Sequence, residues 1–133
     1  MNTSKYPIYV ISKGRWKRRQ TIKTLLDMNI FFNLVIEPKE YEQYASIIDK
    51  KYIMTTPENF SERGEGSVPV RNFVFEHSIS KGDKRHWILD DNIEGVQRYN
   101  NNLKIKCRSI APFIVCEEFT DRYEYKSIFM YLS

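Results

Sequence analysis

The stretch "KRHWILDDNIEG", Lys84–Gly95, places three apolar residues, Trp87, Ile88 and Leu89, directly before Asp90, Asp91 and Asn92. A short run of bulky apolar residues bounded by polar ones reads as a strand buried on both faces. Its exit carries three oxygen-bearing side chains. Two adjacent carboxylates repel each other unless something positive sits beside them. Asp and Asn are also the ordinary residues of a strand-end turn or a helix cap. The choice between a turn and a cation site depends on what surrounds this strand.

Upstream, Gly82 ends a helix for which Ser67 is a candidate N-cap and Pro69 a first-turn residue. Val70, Phe73, Val74 and His77 line one face of it. The preceding "PENFSERGEGS", 57–67, has two glycines and no apolar period, and reads as a mobile surface loop. Before it, "KYIMTT" (51–56) and "FFNLVI" (31–36) read as strands, the latter ended by Glu37-Pro38. A helix is expected over 39–49, with Tyr41, Tyr44, Ala45 and Ile48 at helical spacing. Another is expected over 16–28, with Ile22, Leu25 and Leu26 on one face and Asn29 closing it. "YPIYVIS", 6–12, is the first strand. Beyond Asp91 the alternation weakens into an irregular segment, one strand near 103–108 and a helix in "APFIVCEEFTDRY". The closing "EYKSIFMYLS" adds little.

Strands alternating with helices predict an α/β fold, an open, mostly parallel sheet with helices on both faces. The 133 residues suffice for one domain, 1–133, with a single core. Hydrophobic residues at 41% and charged ones at 29% exclude a disordered chain. The net charge of +4 suits a polyanionic or phosphorylated ligand, and equally suits simple solubility. Cys107 and Cys116 lack metal-ligand spacing and read as reduced core thiols in a cytosolic setting. No apolar run reaches membrane-spanning length, and the N-terminus lacks the order of a signal peptide, so a cytoplasmic protein is expected.

Ligands of an open α/β sheet sit beyond the carboxyl ends of its strands. Here those ends carry Ser12 to Arg15, Glu37, Thr55 to Thr56, and Asp90 to Asn92. No G-x-G-x-x-G follows the first strand and no G-x-x-x-x-G-K-[ST] occurs, which argues against a dinucleotide-binding domain or a P-loop enzyme. Lys13, Arg15, Lys17, Arg18 and Arg19 gather where the first helix is expected to open. Cations there oppose the helix dipole, which suggests an anion nearby. The basic turn and the helix N-terminus are candidates to meet a phosphate. Arg15 is the member nearest the strand end. Mg²⁺ takes one or two carboxylates and completes its shell with phosphates and water, so a short acid pair suffices for a cation that arrives with a diphosphate.

The segments "YPIYVISKGR", "VPVRNFVFEHSISKG" and "KRHWILDDNI" together resemble the glycosyltransferase A fold, and more closely the phage-type TET-associated glycosyltransferases. The shared order is an Arg-Asn pair on a helix (Arg71-Asn72), a glycine ending it (Gly82), and a strand finishing in an Asp-rich motif. The resemblance implies a nucleotide-sugar donor, most simply a UDP-sugar, and a divalent cation, Mn²⁺ or Mg²⁺. It implies that Asp91 is a metal ligand, with the amide oxygen of Asn92 standing where many relatives have a third Asp. Asp90 would hydrogen-bond the donor's ribose or support the metal. Glu37 would read the nucleobase. Arg71 would approach the base or diphosphate, and Ser12 and Arg15 would line the donor pocket. The implied acceptor is a 5-hydroxymethylpyrimidine in phage DNA, turned out of the stack, in the host cytoplasm.

By the same resemblance, residues 1–92 form the donor-binding half and 93–133 a partial acceptor half. No catalytic base is assigned. Glu117, Glu118 and Asp121 are the late candidates, and their spacing reads first as a solvated helix face. His77 reads as a packed, hydrogen-bonded histidine, His86 as structural, and Trp16 and Trp87 as core or pocket wall. Two other functions stay open: a non-catalytic or truncated nucleotide-binding remnant, and a basic DNA-binding module with no donor site.

Overall fold

The structure is a computed structural model and describes residues 2–101 and 103–124, with only the backbone of 98–100 and 104. Residues 125–133, most of "EYKSIFMYLS", lie outside the described residues.

Four parallel strands form the central sheet: β1 (Ile8–Ile11), β2 (Asn33–Ile36), β3 (Ile53–Thr55) and β4 (Trp87–Leu89), in the order β3-β2-β1-β4. The helices are α1 (Gln20–Asp27), α2 (Tyr41–Ala45), α3 (Val68–Ser80) and α4 (Ala111–Arg122). The chain steps one way from β1 through β2 to β3, then returns across the sheet to β4. With right-handed crossovers that reversal sends α3 to the face opposite α1 and α2. The alternation of side chains agrees. Ile8, Val10, Leu34, Ile36 and Leu89 join Ile22, Leu25, Tyr44 and Phe113 in one core cluster. Tyr9 and Val35 meet Val74 in the other, with Ile11, Met54, Val70, Phe73 and Ile88 packed around them. Each fully buried aliphatic side chain contributes roughly 1.5–3 kcal/mol. The expected open α/β sheet with helices on both faces is what forms.

Local departures have physical causes. The first helix starts at Gln20 rather than near residue 16, beyond the basic cluster, and Arg19 at its N-cap takes a left-handed φ of 36°. The delay keeps most of those cations off the dipole's positive end. Asn29 does close this helix, with φ 57°. Leu26, expected on the buried face, is exposed. The expected helix over 39–49 reduces to a 3-10 turn, Pro38–Glu40, and the short α2. Segment 57–67 is not a free loop: a 3-10 turn, Phe60–Arg63, buries Phe60 and places Ser61 on Glu37. Ser67 makes no side-chain cap, and its hydroxyl instead receives Arg71 Nε at 3.4 Å. The segment read as irregular plus one strand is an antiparallel hairpin of β5 (Gln97–Asn100) and β6 (Leu103–Lys106).

The amino ends of β1 and β4 are clamped by α4. Glu117 is 4% exposed and is not a solvated face residue. It accepts Lys5 N at 3.1 Å, Tyr6 N at 2.8 Å and Trp87 Nε1 at 3.0 Å. Asp121 accepts Lys5 Nζ at 2.7 Å, Tyr6 Oη at 2.7 Å and Arg85 Nε at 3.0 Å. The hydrogen bonds from Lys5 and Tyr6 hold its carboxyl below the usual carboxylate range. His77 and His86 meet the ring of Tyr9 edge-on. His77 Nδ1 lies 2.8 Å from Tyr9 Oη, and burial keeps both imidazoles neutral to lower pH than usual. The packed roles expected for the two histidines hold.

Candidate functional site

The reversal of strand order puts a crevice between the carboxyl ends of β1 and β4, where open sheets bind their ligands. Ser12 leaves β1 there and Asp90–Asn92 leave β4. The turn after β4 is fixed by α1. Buried Thr21 donates Oγ1 to the Asp90 carbonyl at 2.5 Å and accepts Ile93 N at 2.9 Å. Thr24 Oγ1 reaches the Ile93 carbonyl at 3.1 Å. Two threonines on the buried side of a helix thus brace the strand-end turn that carries Asp91 and Asn92.

Asp91 is half-buried and points back into the crevice. Ser12 Oγ donates to its Oδ2 at 3.1 Å, and Arg15 Nη1 approaches its Oδ1 at 3.3 Å. Asp90 is exposed, and Arg71 Nη2, from the first turn of α3, meets its Oδ1 at 3.4 Å. Neighbouring acids are therefore each matched by a guanidinium from a different element. Pairs whose guanidinium is this exposed contribute little to stability, a median of about 0–1 kcal/mol for surface pairs, so their joint placement needs another explanation. Asn92 is exposed and joins neither pair.

Glu37 is buried at the end of β2, where Ser61 donates to Oε2 through its N–H at 3.2 Å and its hydroxyl at 2.8 Å. Among the described residues nothing donates to Oε1. Glu37 shares with Ser12, Lys13, Phe60 and Val70 a cavity of about 210 Å³ beside the charged pairs. Its walls combine an aromatic ring and aliphatic side chains with one carboxylate, the usual make-up of a small-molecule site. A second cavity, of about 420 Å³, lies at the amino end of the sheet, walled by the clamp residues Trp87 and Glu117. It is remote from the acids.

The turn between β1 and α1 does not offer a backbone cradle for phosphate. Gly14, at φ 67°, gives its N–H to the Glu40 carboxylate at 3.0 and 3.1 Å. Arg15 N–H goes to Tyr44 Oη at 3.3 Å. With the N–H groups of Gly14 and Arg15 already taken, this turn is left with the side chains of Lys13 and Arg15 to meet a phosphate. Tyr44, Glu40, Thr21 and Ser61 were not singled out from the sequence as site residues. The one sequence signal for the first two is their spacing of four, which stacks them on one side of a helical turn.

Among the described residues no three His, Cys, Asp or Glu side chains converge as metal ligands. The donors present are oxygens only: two carboxylates and one amide. That set fits a hard cation that brings phosphate and water with it. Glu117 and Asp121 sit at the amino ends of the strands, so neither reaches the crevice as a base.

The reversal in strand order defines a doubly wound α/β domain, with the charged crevice at its switch point as the candidate ligand site. A family model for TET-associated glycosyltransferases matches residues 6–132, and the chain belongs to that family. Such membership implies a sugar donor. No curated protein and no solved structure matches the chain. No helix of the described residues is long and apolar enough to cross a membrane.

Proposed function

We propose that the chain is a metal-dependent glycosyltransferase that takes a nucleotide-sugar donor, with Mn²⁺ or Mg²⁺, and modifies a hydroxymethylated base in phage DNA. The observation that supports the donor reading most is the pairing of Asp90 with Arg71 and Asp91 with Arg15 beside the Glu37 cavity. The base fits against Phe60 and Val70, where the free Oε1 of Glu37 accepts an N–H or O–H. The diphosphate then lies over the crevice within reach of Arg15 and Arg71. Asp91, with Asn92, would hold the cation, and Asp90 would support it or take the ribose. The cation supplies charge neutralisation for a leaving diphosphate.

For either arginine to take phosphate, and for a cation to reach the acids, the two ion pairs must part. Exposure of both guanidinia makes that exchange inexpensive. DNA as acceptor accords with the net charge of +4 and with the exposed Lys13, Lys17 and Arg18 beside the crevice. The target base would have to leave the stack to be reached.

Incubation with a UDP-sugar, Mn²⁺ and DNA containing 5-hydroxymethylcytosine tests the activity by mass spectrometry. The expected product carries one added sugar per modified base. Unchanged DNA and intact donor, across a panel of nucleotide sugars and hydroxymethylated pyrimidines, contradict it. Arg71→Ala is expected to weaken Mn²⁺-dependent binding of uridine diphosphate by ~1–3 kcal/mol, the range for a charge-assisted hydrogen bond. Unaltered affinity in calorimetry would return Arg71 to a surface partner of Asp90.

A further inference from the structure

We infer that Tyr44 is a positioning residue for the cation site, fixing the Asp91 carboxylate through Ser12. The inference rests on the donor-site reading above and extends it to α2, which carries no ligand-contacting residue in that reading.

The hydrogen-bond directions follow from proton counting. Ser12 has one hydroxyl proton, and Asp91 Oδ2 as a carboxylate oxygen can only accept it. The 2.6 Å contact between Ser12 Oγ and Tyr44 Oη must then be donated by tyrosine. Tyr44 Oη in turn accepts the N–H of Arg15. The result is one polarised chain, Arg15 N–H to Tyr44, Tyr44 O–H to Ser12, Ser12 O–H to Asp91, in which each bond strengthens the next. Tyr44 and Ser12 are both buried. Burial also pushes the Tyr44 phenol up from its ordinary range, so it stays protonated and able to donate. The chain leaves Asp91 Oδ1 as the oxygen facing Arg15 and the crevice. It also ties the Arg15 backbone to the same tyrosine, so acid and guanidinium are set by one group.

Hydrogen-bonded partners behind a metal ligand typically alter metal affinity by 10–100-fold. Tyr44→Phe keeps the ring and deletes only the hydroxyl. It is expected to weaken Mn²⁺ binding about 10-fold or more, measured by titrating Mn²⁺ at fixed uridine diphosphate. Ser12→Ala breaks the next link, and the double variant should bind no worse than Ser12→Ala alone, because Tyr44 acts through Ser12. A purely structural tyrosine would instead lower stability with additive or no effects on Mn²⁺ affinity. If Tyr44→Phe does not fold, Ser12→Ala alone carries the test, and wild-type affinity in that variant overturns the inference. Wild-type Mn²⁺-dependent binding that Asp91→Ala abolishes and Tyr44→Phe leaves intact overturns the positioning role alone. An absence of Mn²⁺-dependent binding in the wild type overturns the donor-site reading and this inference together.

Discussion

Replacing Asp91 with alanine is expected to abolish Mn²⁺-dependent binding of uridine diphosphate while leaving the fold in place. The carboxylate sits at the mouth of the crevice, and its partners are the Ser12 hydroxyl and the half-exposed Arg15. Losing these costs on the order of 1 kcal/mol, because the arginine regains water and one hydrogen bond is lost. The thermal midpoint should move by only about 2–5 °C. Binding is another matter. In the proposed cation site a dication would be left with only the exposed Asp90 and an uncharged amide, too little to fix it against a diphosphate. Asp91→Asn should behave similarly, since it keeps the shape and removes the charge. Unchanged Mn²⁺-dependent affinity in either variant would remove Asp91 from the cation site.

Glu117→Ala is expected to be the most destabilising single substitution proposed, and to act at the other end of the sheet. The carboxylate receives two backbone N–H groups that precede β1 and the indole N–H that opens β4. Truncation leaves three donors facing a small void. A buried donor without a partner costs ~1–3 kcal/mol, so a total of about 3 kcal/mol or more is expected. Chemical denaturation should show this as a lower midpoint with little change in slope. Glu117→Gln restores some acceptance through its carbonyl oxygen and should fall between. Near-wild-type stability of Glu117→Ala would mean that water replaces the carboxylate and that the clamp is not structural. Since Glu117 lies at the amino ends of the strands, any folded variant should keep its affinity for uridine diphosphate.

The difference between these two acids shows what the sequence could disclose. The place of Asp91 is legible, because the apolar run locates the strand end and ligands of an open sheet sit beyond the carboxyl ends of its strands. The parallel sheet with helices on both faces follows from alternation plus crossover handedness, whereas its order, β3-β2-β1-β4, does not. Glu117 was not legible. Its partners lie 30, 111 and 112 residues away, and on its own helix it looks like part of a charged face. Tyr44 read correctly as buried at helical spacing, but nothing local says that its hydroxyl points at Ser12. The loop 57–67 looked free because it lacks apolar period, yet one residue, Phe60, is enough to anchor it. Of the β5–β6 hairpin the sequence discloses β6, as the strand expected near 103–108, but not β5, because a two-stranded ribbon needs no buried apolar run. At its turn Asn101 adopts the left-handed φ of 52° that asparagine tolerates.

Calorimetric titration of the unmodified protein with uridine diphosphate, run in parallel with Mn²⁺ and with a chelator, examines the crevice most directly. Saturable binding in the presence of Mn²⁺, lost or at least 10-fold weaker in chelator, is the predicted result, as expected where a cation joins Asp91 to a diphosphate. Identical isotherms in the two conditions, or no heat of binding in either, would contradict a cation-bridged donor site.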